Sequence, residues 1–210
     1  MRIAVLGLYN SGSTALAKCL HRLGVNMGDR FWYVNEPESE NNFYEPFELR
    51  ESLARIWEEG KFVERKPQPY RVKMLRKWIK TQERKTGTYF GAKHPLLALS
   101  PEDLPLAWGE DVQYILAARN LSSSVAGLLR RKWFPEAESV AVQETMSQKL
   151  EAFFANAEHQ ALRLDYDFVT REPAAAVDRL IEYLRLPADP QRRDYAIAGI
   201  RSPAAAAGRS

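Results

Sequence analysis

The sequence predicts an α/β fold in which a central parallel β-sheet is flanked by helices in three layers. Three observations carry this expectation. A run of apolar or small residues, Ile3 to Leu8, is followed by a Gly/Ser turn and then by a helical repeat. A second, largely apolar run, residues 112–118, reads as a strand buried on both faces, as parallel sheets require. Strand-like and helix-like segments alternate through the rest of the chain, which is how βαβ units are built.

Residues 2–8 form the first strand and residues 10–13 the turn. Ala15, Leu16, Cys19, Leu20 and Leu23 recur at helical spacing until Gly24 stops the helix. Residues 29–47 read as irregular, with Pro37 and Pro46 among several Asn and Glu. A second helix is expected over 48–59, with Leu49, Leu53, Ile56 and Trp57 on one face. Pro67 and Pro69 predict a loop before a short helix near 71–84, and residues 88–92 read as a short strand. Pro95, Pro101 and Pro105 punctuate the stretch between that strand and the apolar run at 112–118. After the 112–118 strand, Ser122 to Ser124 offer an N-cap for a helix carrying Val125, Leu128 and Leu129. A long helix over 139–157, a strand at 160–165 and a helix at 173–185 opening on Pro173 complete the pattern. The 210 residues suit one domain, with residues 30–85 as an insertion capping the face where a site would lie. The Ala/Gly-rich tail, residues 203–210, is expected to be disordered.

Composition narrows the function. Hydrophobic residues make up 45% and charged residues 27%, which excludes collagen-like, coiled-coil and wholly disordered chains. A single cysteine excludes an intrachain disulfide and a zinc site of paired cysteines, and makes a reducing cytoplasm the easier setting. No apolar stretch approaches the length of a membrane span. Net charge is +3, yet residues 61–85 alone carry +8, leaving −5 on the rest. That basic segment either draws an anionic ligand or is a solvated helix face. Nucleic acid is not the expected partner, because the segment's aromatics are few (Phe62, Tyr70, Trp78) and no recognition motif accompanies them.

The strongest signal is the run Gly7-Leu8-Tyr9-Asn10-Ser11-Gly12-Ser13-Thr14. It has the G-x-x-x-x-G spacing of a P-loop, directly after a strand and before a helix. Successive backbone N–H groups there can curl into an anion nest at the positive end of the helix. Gly12 allows close approach of an oxygen, and Ser11, Ser13 and Thr14 add hydroxyl donors. The loop therefore makes the expected class a P-loop-type fold, the alternative being a glycine-bearing turn without ligand. Ser13 stands where a nucleotide triphosphatase has its lysine, which argues against a kinase-like phosphotransferase.

The run Gly7 to Gly28, GLYNSGSTALAKCLHRLGVNMG, resembles the 5′-phosphosulfate loop and first helix of sulfotransferases that use 3′-phosphoadenosine-5′-phosphosulfate (PAPS). Phe43-Tyr44-Glu45 resembles an acidic motif of bacterial members. Lys93-His94-Pro95 resembles their K-D-P motif, and Asp165-Tyr166-Asp167 their Y-E-D segment. Arg119-Asn120-Leu121, at a strand end, resembles the R-[DN]-P start of the 3′-phosphate site. The resemblance covers about residues 1–186. It implies sulfuryl transfer from PAPS to a hydroxyl or amine acceptor, giving PAP, without a metal. It also departs from the pattern. Asn10 stands where a Lys or Arg usually contacts the transferring group, and Gly127 where a Ser usually completes the 3′-phosphate site. Leu121 replaces the Pro and His94 the Asp.

The resemblance places the donor on Asn10, Ser11, Gly12, Ser13, Thr14, Arg119 and Gly127; Tyr166 either lines the nucleotide pocket or is a core aromatic, and Lys93 and Arg201 are lesser cationic candidates. A bidentate guanidinium at Arg119 suits a 3′-phosphate, though a strand-end salt bridge would explain it equally. Glu45 is the first choice of base, Glu36 the second and His94 the third, whose ordinary pKa suits a base near neutral pH. Asn10 can donate a hydrogen bond but cannot neutralise charge, which keeps a second reading open: a nucleotide-binding protein with impaired catalysis.

Overall fold

The computed structural model describes residues 1–31, 43–53, 55–58, 61–64, 66–85, 87–187 and 189–200. Glu36, Arg201 and the 203–210 tail lie outside these described residues.

Strand β1 (Arg2–Gly7) leads through the glycine loop into α1 (Ser13–Arg22). Gly24, at φ +93°, closes α1: its N–H reaches His21 O, and the N–H of Val25 reaches Leu20 O. Helix α2 (Phe47–Leu53) comes next, and β2 (Arg55–Glu58) pairs antiparallel with β3 (Lys61–Glu64). Helix α3 (Gln68–Lys85) leads to β4 (Phe90–Lys93), a 3-10 helix (Pro95–Leu99) and α4 (Asp103–Trp108). Strand β5 (Val112–Ala118) is followed by α5 (Leu121–Arg131) and α6 (Glu136–Phe154). Strand β6 (Ala161–Asp165), α7 (Tyr166–Arg171), α8 (Pro173–Leu184) and α9 (Pro190–Ala198) complete the described chain.

The main sheet has the order β4-β1-β5-β6 and every pairing is parallel. Successive side chains of β1 point to opposite faces. Ile3 and Val5 belong to the core shared with Leu16 and Leu20 of α1 and with Val177, Leu180 and Leu184 of α8. Ala4 and Leu6 belong to the opposite core, with Leu75, Trp108, Met146 and Leu150. Helices thus cover both faces of the sheet, the three-layer arrangement expected, and the largely apolar runs at β1 and β5 are explained by burial on both sides.

Three expectations are corrected. The helix expected over 48–59 ends at Leu53, and the chain turns into the β2–β3 pair, with Ile56 opposite Val63 and Trp57 opposite Phe62. These β-branched and aromatic types favour strands, and they outweigh the helical spacing of Leu53, Ile56 and Trp57. Helix α3 begins at Gln68, because Pro69 falls in its first turn, where a missing N–H costs nothing. The N-cap of α5 is Asn120, one position before the helix and ahead of the serines: its Oδ1 accepts from the N–H of Ser123 at 2.7 Å and from Ser122 Oγ at 3.0 Å.

Helix α3 also resolves the basic segment. Arg71 is buried and paired, donating from Nε to Asp103 Oδ2 at 2.6 Å and from Nη1 to Glu64 Oε2 at 3.0 Å. Lys73, Arg76, Lys77, Lys80, Arg84 and Lys85 lie on the solvent side of the helix. No described residue of 61–85 lines the cavity at the C-terminal ends of the strands.

Candidate functional site

The C-terminal ends of β1, β4 and β5 open on one side of the sheet, where α/β proteins place ligands. A cavity of roughly 370 Å³ lies there. Its walls include Asn10, Gly12, Ser13 and Thr14 from the glycine loop and α1, Glu45 before α2, Lys93 at the end of β4, Arg119 after β5 and Tyr166 after β6.

The loop is held from several sides. Gln143, fully buried on α6, clamps Tyr9: its Oε1 accepts the Tyr9 N–H at 3.2 Å and its Nε2 donates to the Tyr9 carbonyl at 2.9 Å. The same Nε2 reaches Ser124 O at 3.1 Å, tying the loop to α5. Asn10 is left-handed at φ +58°, a conformation Asn tolerates. Arg119 Nη1 donates to the Asn10 carbonyl at 2.6 Å. Gly12, at φ +91°, caps α1 without a side chain, and a Cβ there would fall 2.6 Å from the Tyr166 ring. The Arg119 guanidinium lies 4.3 Å from the centre of that ring. Loop, strand-end arginine and aromatic are therefore one packed unit. The N–H groups of Ser13 and Thr14 have no hydrogen-bond partner among the described residues, as expected of a helix N-terminus facing a cavity.

Among the described residues, the walls carry four cations, Lys18, Lys93, Arg119 and Arg131, against one acid, Glu45. Lys93 Nζ donates to Glu45 Oε1 at 2.6 Å and to the Phe43 carbonyl at 3.2 Å. Burial raises the proton affinity of Glu45, but the charges of Lys93, His94 and Arg131 and the hydrogen bond from Lys93 together hold its carboxyl below the usual carboxylate range. Glu45 is ionised at neutral pH, and among the described residues its Oε2 has no hydrogen-bond partner. Phe43, Tyr9 and Trp133 form an aromatic rim: Trp133 meets Phe43 edge-on at 6.5 Å and Tyr9 at 6.1 Å.

Of the expected site residues, Asn10, Gly12, Ser13, Thr14, Glu45, Arg119 and Tyr166 meet around the cavity. Ser11, Gly127 and His94 do not. The Ser11 hydroxyl is buried without a partner and occupies the space that a Cβ on Gly7 would need, 2.5 Å away. Gly127 is buried on α5 against Asn10, where an added Cβ would lie 2.9 Å from the Asn10 Cβ. His94 caps the 3-10 helix, its Nδ1 accepting the Leu96 N–H at 3.1 Å. Burial, chiefly, pushes the His94 pKa down to about 4, so the ring is neutral and a poor base near neutral pH.

Lys18, Arg131, Trp133 and Gln143 escaped the sequence reading. Lys18 was accessible to it, being one helical turn beyond Thr14 on the same face of α1. The others reach the loop through tertiary packing alone. Among the described residues, no group of three or more His, Cys, Asp or Glu is arranged to hold a metal ion, and no helix is long and apolar enough to cross a membrane.

No family model matches the sequence, and no curated protein matches it. Several solved structures match the fold. The sulfotransferase domain from the curacin biosynthetic pathway aligns with a TM-score of 0.58 at 17% identity, over 90% of this chain and 75% of that one. The sulfotransferase domain of the Synechococcus PCC 7002 olefin synthase aligns at 0.57 and 16% identity, over 94% and 76%. Sulfotransferase STF9 from Mycobacterium avium aligns at 0.65 and 11% identity, over 94% and 66%.

Proposed function

We propose that this chain, which has the fold of sulfotransferases, transfers a sulfuryl group from PAPS to a hydroxyl or amine acceptor. The observation that carries the reading is the phosphate-loop helix N-terminus opening onto a cavity whose described walls hold four cations and one acid. Such a wall suits a ligand with several anionic groups. A donor with a phosphosulfate, a 3′-phosphate and an adenine fits the residue types present. The Ser13 and Thr14 N–H groups and hydroxyls, next to Gly12, would take the phosphosulfate. Arg119 would take the 3′-phosphate, and Tyr166 would line the nucleotide pocket. Gly127, packed under Asn10, offers nothing to the 3′-phosphate.

PAPS supplies an activated sulfuryl group, and the protein's part is positioning and charge stabilisation. The acceptor's oxygen or nitrogen lone pair forms the new bond to sulfur as the bond from sulfur to the phosphate oxygen breaks. The electron pair of the broken bond stays on the phosphate of PAP. Glu45 is the base that takes the acceptor's proton through Oε2. Its low proton affinity makes that transfer late, after charge has left the acceptor. Lys93 holds Glu45 in place and faces the same cavity.

A second reading, nucleotide binding without turnover, draws on the absence of a cationic side chain in the loop itself. Thermal shift with PAP, PAPS and ATP–Mg²⁺ comes first. Stabilisation by PAP and PAPS is expected, and a response to ATP–Mg²⁺ alone would refute both readings. Turnover of labelled PAPS across hydroxyl and amine acceptors then separates the two. Arg119→Ala is expected to weaken PAP binding by roughly 2–4 kcal/mol in calorimetric titration. Unchanged affinity in a folded variant would remove Arg119 from the site.

A further inference from the structure

The loop has no cationic side chain of its own, yet a guanidinium stands beside it. Arg131, the last residue of α5, donates from Nε to Asn10 Oδ1 at 2.7 Å. An Nε–H can only donate, so the amide oxygen must face it. The Asn10 Nδ2 is then turned toward Gly127, where it is buried without a hydrogen-bond partner among the described residues. The Asn10 side chain therefore presents no donor to the cavity. It accepts, and what it accepts is an arginine.

Two further contacts fix that arginine. Its guanidinium carbon lies 4.9 Å from the centre of the Trp133 ring and 5.5 Å from that of Phe43. Such faces hold a planar cation without neutralising it. Arg131 also acts electrostatically on Glu45, so its charge is felt at the base as well as at the loop. Among the described residues no acid forms an ion pair with it, and its terminal nitrogens have no hydrogen-bond partner.

We infer that Arg131 supplies the positive charge for the transferring sulfuryl group, with Asn10 as its positioning residue and Gly127 as the space that lets Asn10 take that role. The inference rests on the sulfotransferase reading and adds to it a residue that the phosphate-loop pattern does not contain. A guanidinium reaching in from α5 stabilises the negative charge that develops on the sulfuryl oxygens, as a loop Lys or Arg would. The three positions form one device. A Cβ on residue 127 displaces Asn10, and loss of the Asn10 oxygen releases Arg131.

The test compares affinities for PAP and PAPS, which differ by the sulfuryl group alone. Arg131→Ala is expected to lower PAPS affinity by roughly 10- to 100-fold, the value of a charge-assisted contact, while PAP affinity stays within about 3-fold. Arg131→Lys should recover part of the loss, since it restores charge without the Nε donor. Asn10→Asp keeps an acceptor for Nε but cancels the charge, and should lose the same preference for PAPS with the fold intact by circular dichroism. Equal weakening of PAP and PAPS by Arg131→Ala, or no effect on either, overturns the inference while leaving the sulfotransferase reading standing. A wild-type protein that binds neither ligand overturns both together.

Discussion

Replacing Gly127 by alanine sets two effects against each other. Glycine inside a helix costs about 1 kcal/mol relative to alanine, so the substitution alone should stabilise α5 by that amount. The new methyl, however, would lie 2.9 Å from Asn10 Cβ and 3.2 Å from Asn10 Cγ. The nearest of these atoms is anchored directly to the backbone of a left-handed residue held by Arg119 and Arg131, so it has little room to move. Overpacking of this kind costs about 1–3 kcal/mol. The net expectation is a loss of about 0–2 kcal/mol. The informative comparison adds Asn10→Gly, which tolerates φ +58° and removes every atom the methyl would strike. In that background Gly127→Ala should stabilise by about 1 kcal/mol. Urea unfolding of the four proteins gives the coupling energy, expected at about 1–3 kcal/mol. Coupling below about 0.5 kcal/mol would refute the claim that residues 10 and 127 are matched in size.

Two further expectations concern the supports of the site. Gln143→Leu removes the partner of the Tyr9 N–H and carbonyl and of the Ser124 carbonyl, and should cost about 2–4 kcal/mol in urea unfolding and weaken PAP binding; an unchanged midpoint would mean the clamp is dispensable. His94 has a folded pKa of about 4 against an ordinary value of 6.5, so the unfolded chain takes up the proton first as pH falls. Stability from the neutral ring is full above pH 6.5 and is lost as pH drops toward 4, by at most on the order of 3 kcal/mol. His94→Asn keeps a cap acceptor and cannot titrate, so the slope across that window should flatten. Glu45 enters only at the acid end of that window: its folded pKa is lowered, so its contribution is lost as pH falls below its ordinary value of 4.5, and the slope is read above that pH. A slope in the variant as steep as in the wild type would assign the effect to another group.

The elements that were legible in the sequence are those whose signal is local. The strand at β1, the loop after it, α1 and its glycine stop are contiguous, and residues 7–24 contain the apolar period, the turn residues and the helix terminator together. The β5 run was legible because burial on both faces leaves a largely apolar stretch, and Arg119 was evident as the first charge beyond it. Where two local signals competed, the sequence misled. Residues 53–57 carry both helical spacing and strand-favouring side chains, and only pairing with β3 decides between them. The orientation of side chains around the loop was not legible at all. Asn10 reads as a donor until Arg131, 121 positions away, takes its oxygen, and Gly127 reads as a lost phosphate ligand until Asn10 is found resting on it. Gln143 reads as one more polar residue on a long helix until packing buries it fully against the Tyr9 backbone. Local sequence determined that this chain builds a loop for anions at a strand end. Which cation faces that loop was decided by the packing of α5 and α6 beside it, because contacts so distant in the chain leave no periodic trace in it.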